Sequence, residues 1–104
     1  MIDWQRVNEL RGEVGEEDFG EVLDMFFDEV AEVLGALGNG DAEATKRDLH
    51  FLKGSAMNIG LSEVSSLCRD CETSLAENPG EDVDLGAISR AFLASKDIIE
   101  SRSA

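Results

Sequence analysis

The chain has 104 residues, of which 42% are hydrophobic and 31% charged, and its formal net charge is −14 at pH 7. This length and composition are typical of one globular domain, so we expect a single domain over residues 1–104. The acidic balance argues against nucleic-acid binding, which requires clustered Lys and Arg, and the lack of a long apolar run or a signal pattern predicts a cytoplasmic protein with no membrane contact.

Helical periodicity runs through almost the whole chain, and no segment alternates in the manner of a β-strand. A short first helix is predicted from about Asp3, as its N-cap, to Val14. A second helix is predicted from about Glu16 to Leu37. Its apolar residues recur at the spacing of a buried stripe: Phe19, Val22, Leu23, Phe26, Val30, Val33, Leu34 and Leu37.

Three further helices follow at short intervals. Asp41 is placed to cap the third, which is predicted to run to about Asn58 or Ile59. The fourth is predicted from Leu61 to Asn78, and Asp84 can cap the last. Four long amphipathic helices joined by short loops predict an all-α fold, an up-and-down four-helix bundle with a short additional N-terminal helix.

The only histidine of the chain, His50, lies on the third helix within the run HFLKGSAMNIG. Two stripes follow this helix: Leu49, Leu52, Ala56 and Ile59 in one, and His50, Lys53, Gly54 and Met57 in the other. The first stripe should face the core, and the second lies about 100° away, so His50 should be reachable by solvent. Gly54, one turn after His50, leaves the space beside the imidazole empty.

These residue types are what reversible capture of a phosphoryl group requires. Neutral imidazole has one free ring nitrogen that can act as a nucleophile. The ammonium of Lys53 is a suitable point-charge partner for phosphate, and Ser55 can add a hydroxyl donor or simply tolerate a tight helix contact. From the residues alone, a surface histidine beside a helix-packing glycine remains an open alternative.

The run His50-Phe51-Leu52-Lys53-Gly54-Ser55-Ala56, followed by Gly60, resembles the H-x-L-K-G-S-[SA] signature of histidine-containing phosphotransfer (HPt) domains. The resemblance extends through Leu67, Cys68 and Glu72 on the next helix. Leu49 and Leu61 stand where a small residue is common in that family, which could alter the fit of partners.

The resemblance implies a phosphorelay intermediate of two-component signalling. His50 would be the phosphorylated nucleophile, which accepts a phosphoryl group from the aspartyl phosphate of a receiver domain and passes it to another receiver. Lys53 would stabilise the phosphate, Gly54 would give the partner access, and Ser55 and Gly60 would be supporting positions.

Cofactor and partner expectations follow from the same resemblance. The chain has no Gly-rich nucleotide loop, so we expect a phosphocarrier without autonomous kinase activity. No cofactor or metal is expected in this chain, because the family pattern assigns Mg²⁺ to the partner receiver domain. The expected partners are response-regulator receiver domains, with a hybrid sensor histidine kinase as a further candidate, and the expected state is a monomer.

Two other functions stay open at this point. The chain could be a helical adaptor that binds a receiver or sensor kinase without carrying phosphate. It could also be a hydrolase or transferase with His50 as general base, which would require an enclosing pocket with further polar groups.

Two weaker patterns favour structural interpretations. Cys68 and Cys71 fall on the apolar seam of the fourth helix and are predicted to be buried structural thiols, since a zinc site would need two more ligands. Three carboxylates repeat along the second helix, and we interpret them as a solvated face: Asp24, Asp28 and Glu32. Periodicity does not decide whether Trp4 and Phe27 lie in the core or on the surface.

Overall fold

The computed structural model describes residues 2–103, and within this range all regular secondary structure is α-helical. The helices are α1 (Trp4–Val14), α2 (Glu16–Ala36), α3 (Ala42–Asn58), α4 (Ser62–Glu77) and α5 (Leu85–Ser103). α2 ends one residue earlier than predicted because Leu37 adopts an extended backbone. Among the described residues, no helix is both long enough and apolar enough to span a membrane.

The starts of α1, α3 and α5 are set by side-chain caps that the sequence predicted, whereas α2 and α4 begin without one. Each of three aspartates accepts a hydrogen bond from the backbone N–H three residues later: Asp3 from Arg6 at 3.2 Å, Asp41 from Ala44 at 2.8 Å and Asp84 from Ala87 at 3.1 Å. A cap of this type contributes about 1 kcal/mol to helix stability. These three aspartates therefore fix where α1, α3 and α5 begin.

The core lies among the four longer helices. α3 packs most extensively on α4, α4 packs on α5, and α2 contacts α1, α3 and α5. The fully enclosed side chains come from all five helices and the α3–α4 turn, and the largest are Phe27, Leu49, Leu52, Ile59, Leu61, Ile88 and Ile99. The predicted inner stripe of α3 is confirmed, since all four of its members are buried.

The buried face of α2 differs from the predicted stripe. Phe27 is buried, whereas Phe26, which we placed in the stripe, is only partly buried. The Phe27 ring packs edge-on against Phe92 of α5, with the ring centroids 5.9 Å apart. Trp4 is partly buried, and the guanidinium of Arg102 lies over its ring at 4.4 Å, which joins α1 to the end of α5.

Gly60 forms the turn between α3 and α4. Its φ of +81° lies in the left-handed region that glycine adopts without strain. The Leu61 N–H donates to the Ala56 carbonyl at 2.8 Å, which closes the C-terminus of α3. The Gly60 carbonyl also accepts a hydrogen bond from the Asp3 N–H at 2.8 Å. One residue thus ends α3 and holds the start of α1 against the turn.

Candidate functional site

His50 lies at the edge of the buried face of α3, as its position in the sequence predicts. Its side chain is 77% exposed, whereas the adjacent Leu49 is fully buried. The imidazole is therefore open to a partner on the protein surface. A general base enclosed in a deep pocket, one of the alternatives left open by the sequence, does not match this exposure.

A carboxylate from α4 lies beside the imidazole. Nδ1 of His50 is 3.6 Å from Oε2 of Glu72, and Oε1 of the same carboxylate forms a 2.9 Å ion pair with Nζ of Lys53. The His50–Glu72 distance is slightly beyond hydrogen-bond range, as is common for catalytic contacts before the substrate binds. His50, Glu72 and Lys53 form one polar cluster across the α3–α4 pair.

Glu72 belongs to the stretch that resembles the HPt family, but we predicted no role for it, although the sequence contains a signal. Glu72 follows the core residue Cys68 by four positions, so it lies one turn further along α4 on a similar side of the helix. The tight turn at Gly60 makes α3 and α4 neighbours. Together these two features bring a carboxylate of α4 to the side of α3 that carries His50.

The Glu72 carboxylate can determine which ring nitrogen of His50 reacts. A carboxylate near Nδ1 favours the tautomer that carries a proton there, because Nδ1–H can donate to it. The unprotonated nitrogen is then Nε2, with a lone pair available to an electrophile. The arrangement therefore suits Nε2, rather than Nδ1, for a reaction with an electrophile.

Lys53 is partly buried, and its ammonium is directed to Glu72. We predicted this residue as a phosphate partner, and the ion pair does not prevent that, because an ammonium group has three N–H donors. Lys53 can hold Glu72 in place and also donate to an anion at His50. It also neutralises the charge of a carboxylate that is partly removed from water.

Gly54 lies in open space. A Cβ built on this residue would have no neighbouring atom within 4 Å. Tight packing between helices therefore does not account for the glycine, which removes the structural alternative that the sequence left open. Ser55 is partly buried, and its carbonyl accepts the Ile59 N–H at 3.3 Å at the end of α3.

The two cysteines are free thiols near this site. Burial, together with the neighbouring Cys71 and the Glu72 carboxylate, raises the pKa of Cys68 to about 12. Cys71 is only partly buried, contrary to our prediction, because three residues correspond to about 300° of helical rotation and place it at the edge of the seam. Burial and the adjacent Asp70 raise its pKa as well. Both side chains are therefore thiols and poor nucleophiles at neutral pH.

The predicted solvated face of α2 is confirmed. Asp24, Asp28 and Glu32 are all exposed. Carboxylates in water at this spacing need no further explanation.

Comparison with known proteins gave one informative result. A search of curated proteins and a search of solved structures each returned no match. A family model described as the Hpt domain matches residues 21–101, which include α3, α4 and most of α2 and α5. The matched region contains the whole His50 cluster, whereas α1 lies outside it. The chain therefore belongs to the Hpt domain family, whose members are helical phosphocarrier modules of two-component phosphorelays.

Proposed function

We propose that this chain is a phosphorelay intermediate in which His50 accepts a phosphoryl group from the aspartyl phosphate of one receiver domain and passes it to another. The observation that carries the proposal is the exposed imidazole with Nδ1 beside the carboxylate of Glu72. The open space at Gly54 supports it, because a docking partner needs that space.

The chemistry is an in-line displacement at phosphorus. The Nε2 lone pair of His50 forms the N–P bond while the bond from phosphorus to the aspartyl oxygen breaks, and the aspartate leaves as a carboxylate. The phosphorylated ring retains its Nδ1 proton and is cationic. The Glu72 carboxylate stabilises that positive charge, and Lys53 donates to the phosphoryl oxygens. Transfer to the second receiver is the reverse displacement.

The proposal also covers the arrangement of the helices, the oligomeric state, the cofactor requirement and the partners of the chain. α2, α3, α4 and α5 form an up-and-down four-helix bundle with α1 on its flank, and the protein is a cytoplasmic monomer. Mg²⁺ belongs to the receiver domain, and this chain needs no cofactor and has no kinase activity of its own. Ser55 and Gly60 support the helix that presents His50. A hybrid sensor histidine kinase is a further partner.

Phosphoryl transfer from purified receiver domains tests the proposal. Each receiver is phosphorylated with radiolabelled acetyl phosphate, freed of the donor and mixed with wild-type protein or with His50→Gln. We expect acid-labile label on the wild type and none on the variant, because the chain contains one histidine. If receivers bind both forms equally and transfer label to neither, the chain is an adaptor that carries no phosphate.

A further inference from the structure

One large apolar side chain is exposed on the same face as the nucleophile. Met57 of α3 is 61% exposed and lies seven residues after His50, which corresponds to about 10 Å along the helix axis. Gly54 lies between the two and has no side chain that could block a partner lying across both residues. The surface that runs from His50 across Gly54 therefore includes the exposed apolar side chain of Met57.

An arginine of α4, Arg69, lines the same cleft as this methionine. Arg69 precedes Glu72 by three residues, so the two share a face of α4. Its side chain is 66% exposed, and its ion-pair contact is at 4.0 Å, with the adjacent Asp70. By contrast, Arg6, Arg11 and Arg90 have carboxylate oxygens at 3.0, 3.2 and 2.8 Å. The Arg69 guanidinium is thus more available to a partner.

Met57 and Arg69 line one cleft between α3 and α4. The cleft has a volume of about 280 Å³, and its other lining residues are Ser62, Ser65 and Ser66 of α4, Gly60 of the turn and Asp3 at the start of α1. It combines an apolar group, a guanidinium, small polar side chains and the Asp3 carboxylate, which accepts the Arg6 N–H as the cap of α1. Methionine adapts its shape to a partner surface, and arginine is enriched at protein interfaces.

Size and charge identify the occupant. A specific protein partner covers about 800 Å² on each side, so a receiver whose aspartate reaches His50 must also cover a group about 10 Å away. This chain has a net charge of −14, which repels a phosphorylated partner except near cations. Arg69 is a cation in the area that such a partner must cover.

We propose that Met57 and Arg69 dock the phosphorylated receiver domain and determine which receivers this chain serves. Met57 inserts into an apolar pocket of the receiver, and Arg69 pairs with one of its carboxylates. The proposal rests on the proposed function and adds to it the residues that select the partner. Neither side chain takes part in the chemistry at His50.

The test uses the receiver that labels His50 fastest among those phosphorylated with acetyl phosphate. The rate of transfer is measured against receiver concentration for the wild type, Met57→Ala and Arg69→Gln. We expect each substitution to raise the apparent KM about tenfold, because central anchor residues contribute most of the binding energy, with kcat changed less than about twofold. In Arg69→Gln the KM should also depend less on salt.

Met25→Ala is the matched control. Met25 is 66% exposed but belongs to α2, which contributes no residue to the lining of the cleft, so its substitution should leave KM unchanged. If His50 is labelled and the KM values of Met57→Ala and Arg69→Gln equal that of the wild type, the docking proposal is wrong and the proposed function stands. A fall in kcat alone would also contradict docking. If no receiver labels wild-type His50, the proposed function itself fails.

Discussion

At the scale of single residues, Gly54 is the least expected choice in the sequence. Glycine within a helix is less favourable than alanine by about 1 kcal/mol, and no neighbouring atom in this structure requires it. The free molecule therefore gains nothing from Gly54. On the proposed function, the glycine leaves room for a partner that approaches His50.

Two substitutions at Gly54 separate stability from transfer. Gly54→Ala should raise the free energy of unfolding by about 0.4–1 kcal/mol, because the added methyl group meets nothing. Gly54→Leu should also fold, yet slow transfer from a receiver by about 100-fold, since a displaced partner loses reactive geometry. Urea denaturation and single-turnover transfer provide the two measurements. Transfer by Gly54→Leu at the native rate would refute the access role.

Glu72 gives a second prediction at this scale. Glu72→Ala should slow phosphorylation of His50 by about 100-fold, because it removes the group that orients the ring and stabilises its positive charge. Glu72→Gln, which keeps an acceptor oxygen but no charge, should be intermediate. The rate is measured with phosphoramidate, a small donor that needs no docking. Glu77→Gln, at the exposed end of α4, is the control.

A wild-type rate in Glu72→Ala would show that the 3.6 Å contact between Glu72 and His50 has no catalytic role. The exposure of His50 was predictable, because it follows from the helical rotation between His50 and the buried Leu49. The partnership with Glu72 was not, because it depends on a distance between two helices that periodicity within one helix does not contain.

At the scale of elements, the α3–α4 turn ties the site to the rest of the fold. A Cβ on Gly60 would lie 2.8 Å from the Asp3 carbonyl oxygen and 2.8 Å from Cγ2 of Val7. The turn therefore determines where α3, the helix that carries His50, ends and where the start of α1 packs.

Gly60→Ala should lower the free energy of unfolding by about 1–3 kcal/mol, because it combines a strained φ with these close contacts. Gly20→Ala, in the second turn of α2 where an added Cβ meets nothing, should instead raise the free energy of unfolding by about 0.4–1 kcal/mol. Urea denaturation of both variants checks the pair. Equal stability of Gly60→Ala and the wild type would contradict this view of the turn.

The start of α5 gives a pH-dependent prediction. Asp84 accepts a hydrogen bond from Arg90 at 2.8 Å and another from the Ala87 N–H, and these lower the pKa of its carboxyl. A lowered folded pKa contributes stability that is present above the unfolded pKa and lost as pH falls through the folded one. Asp84→Asn retains a cap but not the charge.

The wild type should therefore be more stable than Asp84→Asn at pH 7, and the difference should shrink as pH falls below about 4. Urea midpoints at a series of pH values give the comparison. A difference that is constant down to pH 2 would show that the carboxylate charge of Asp84 does not stabilise α5.

The helix starts were predictable because their causes are local, as Asp41 and its bond to Ala44 show. The buried face of α2 was less predictable from the sequence. Phe26 and Phe27 are adjacent phenylalanines, and the packing of α5, through Phe92, determines which of them is enclosed. Which phenylalanine is buried depends on contacts between helices, and the sequence pattern of one helix does not contain that information.

At the scale of the whole molecule, charge and fold act together on partner choice. The surface of an acidic protein repels anions, and we expect Lys53 and Arg69 to offset that repulsion near His50. The all-helical scaffold presents one imidazole on one face, and the residues around it decide the approach. On this view, α3 and α4 supply both the chemistry and the selection of the partner.

The position of the phosphoryl group on the imidazole tests the central claim most directly. The protein is labelled with ¹⁵N in its one histidine, phosphorylated by a receiver domain and studied by ¹⁵N and ³¹P NMR. We expect phosphorus bonded to Nε2 of His50, with the proton retained on Nδ1 beside Glu72. Phosphorus on Nδ1, or an imidazole that remains unmodified while a receiver loses its label to the protein, would contradict the mechanism.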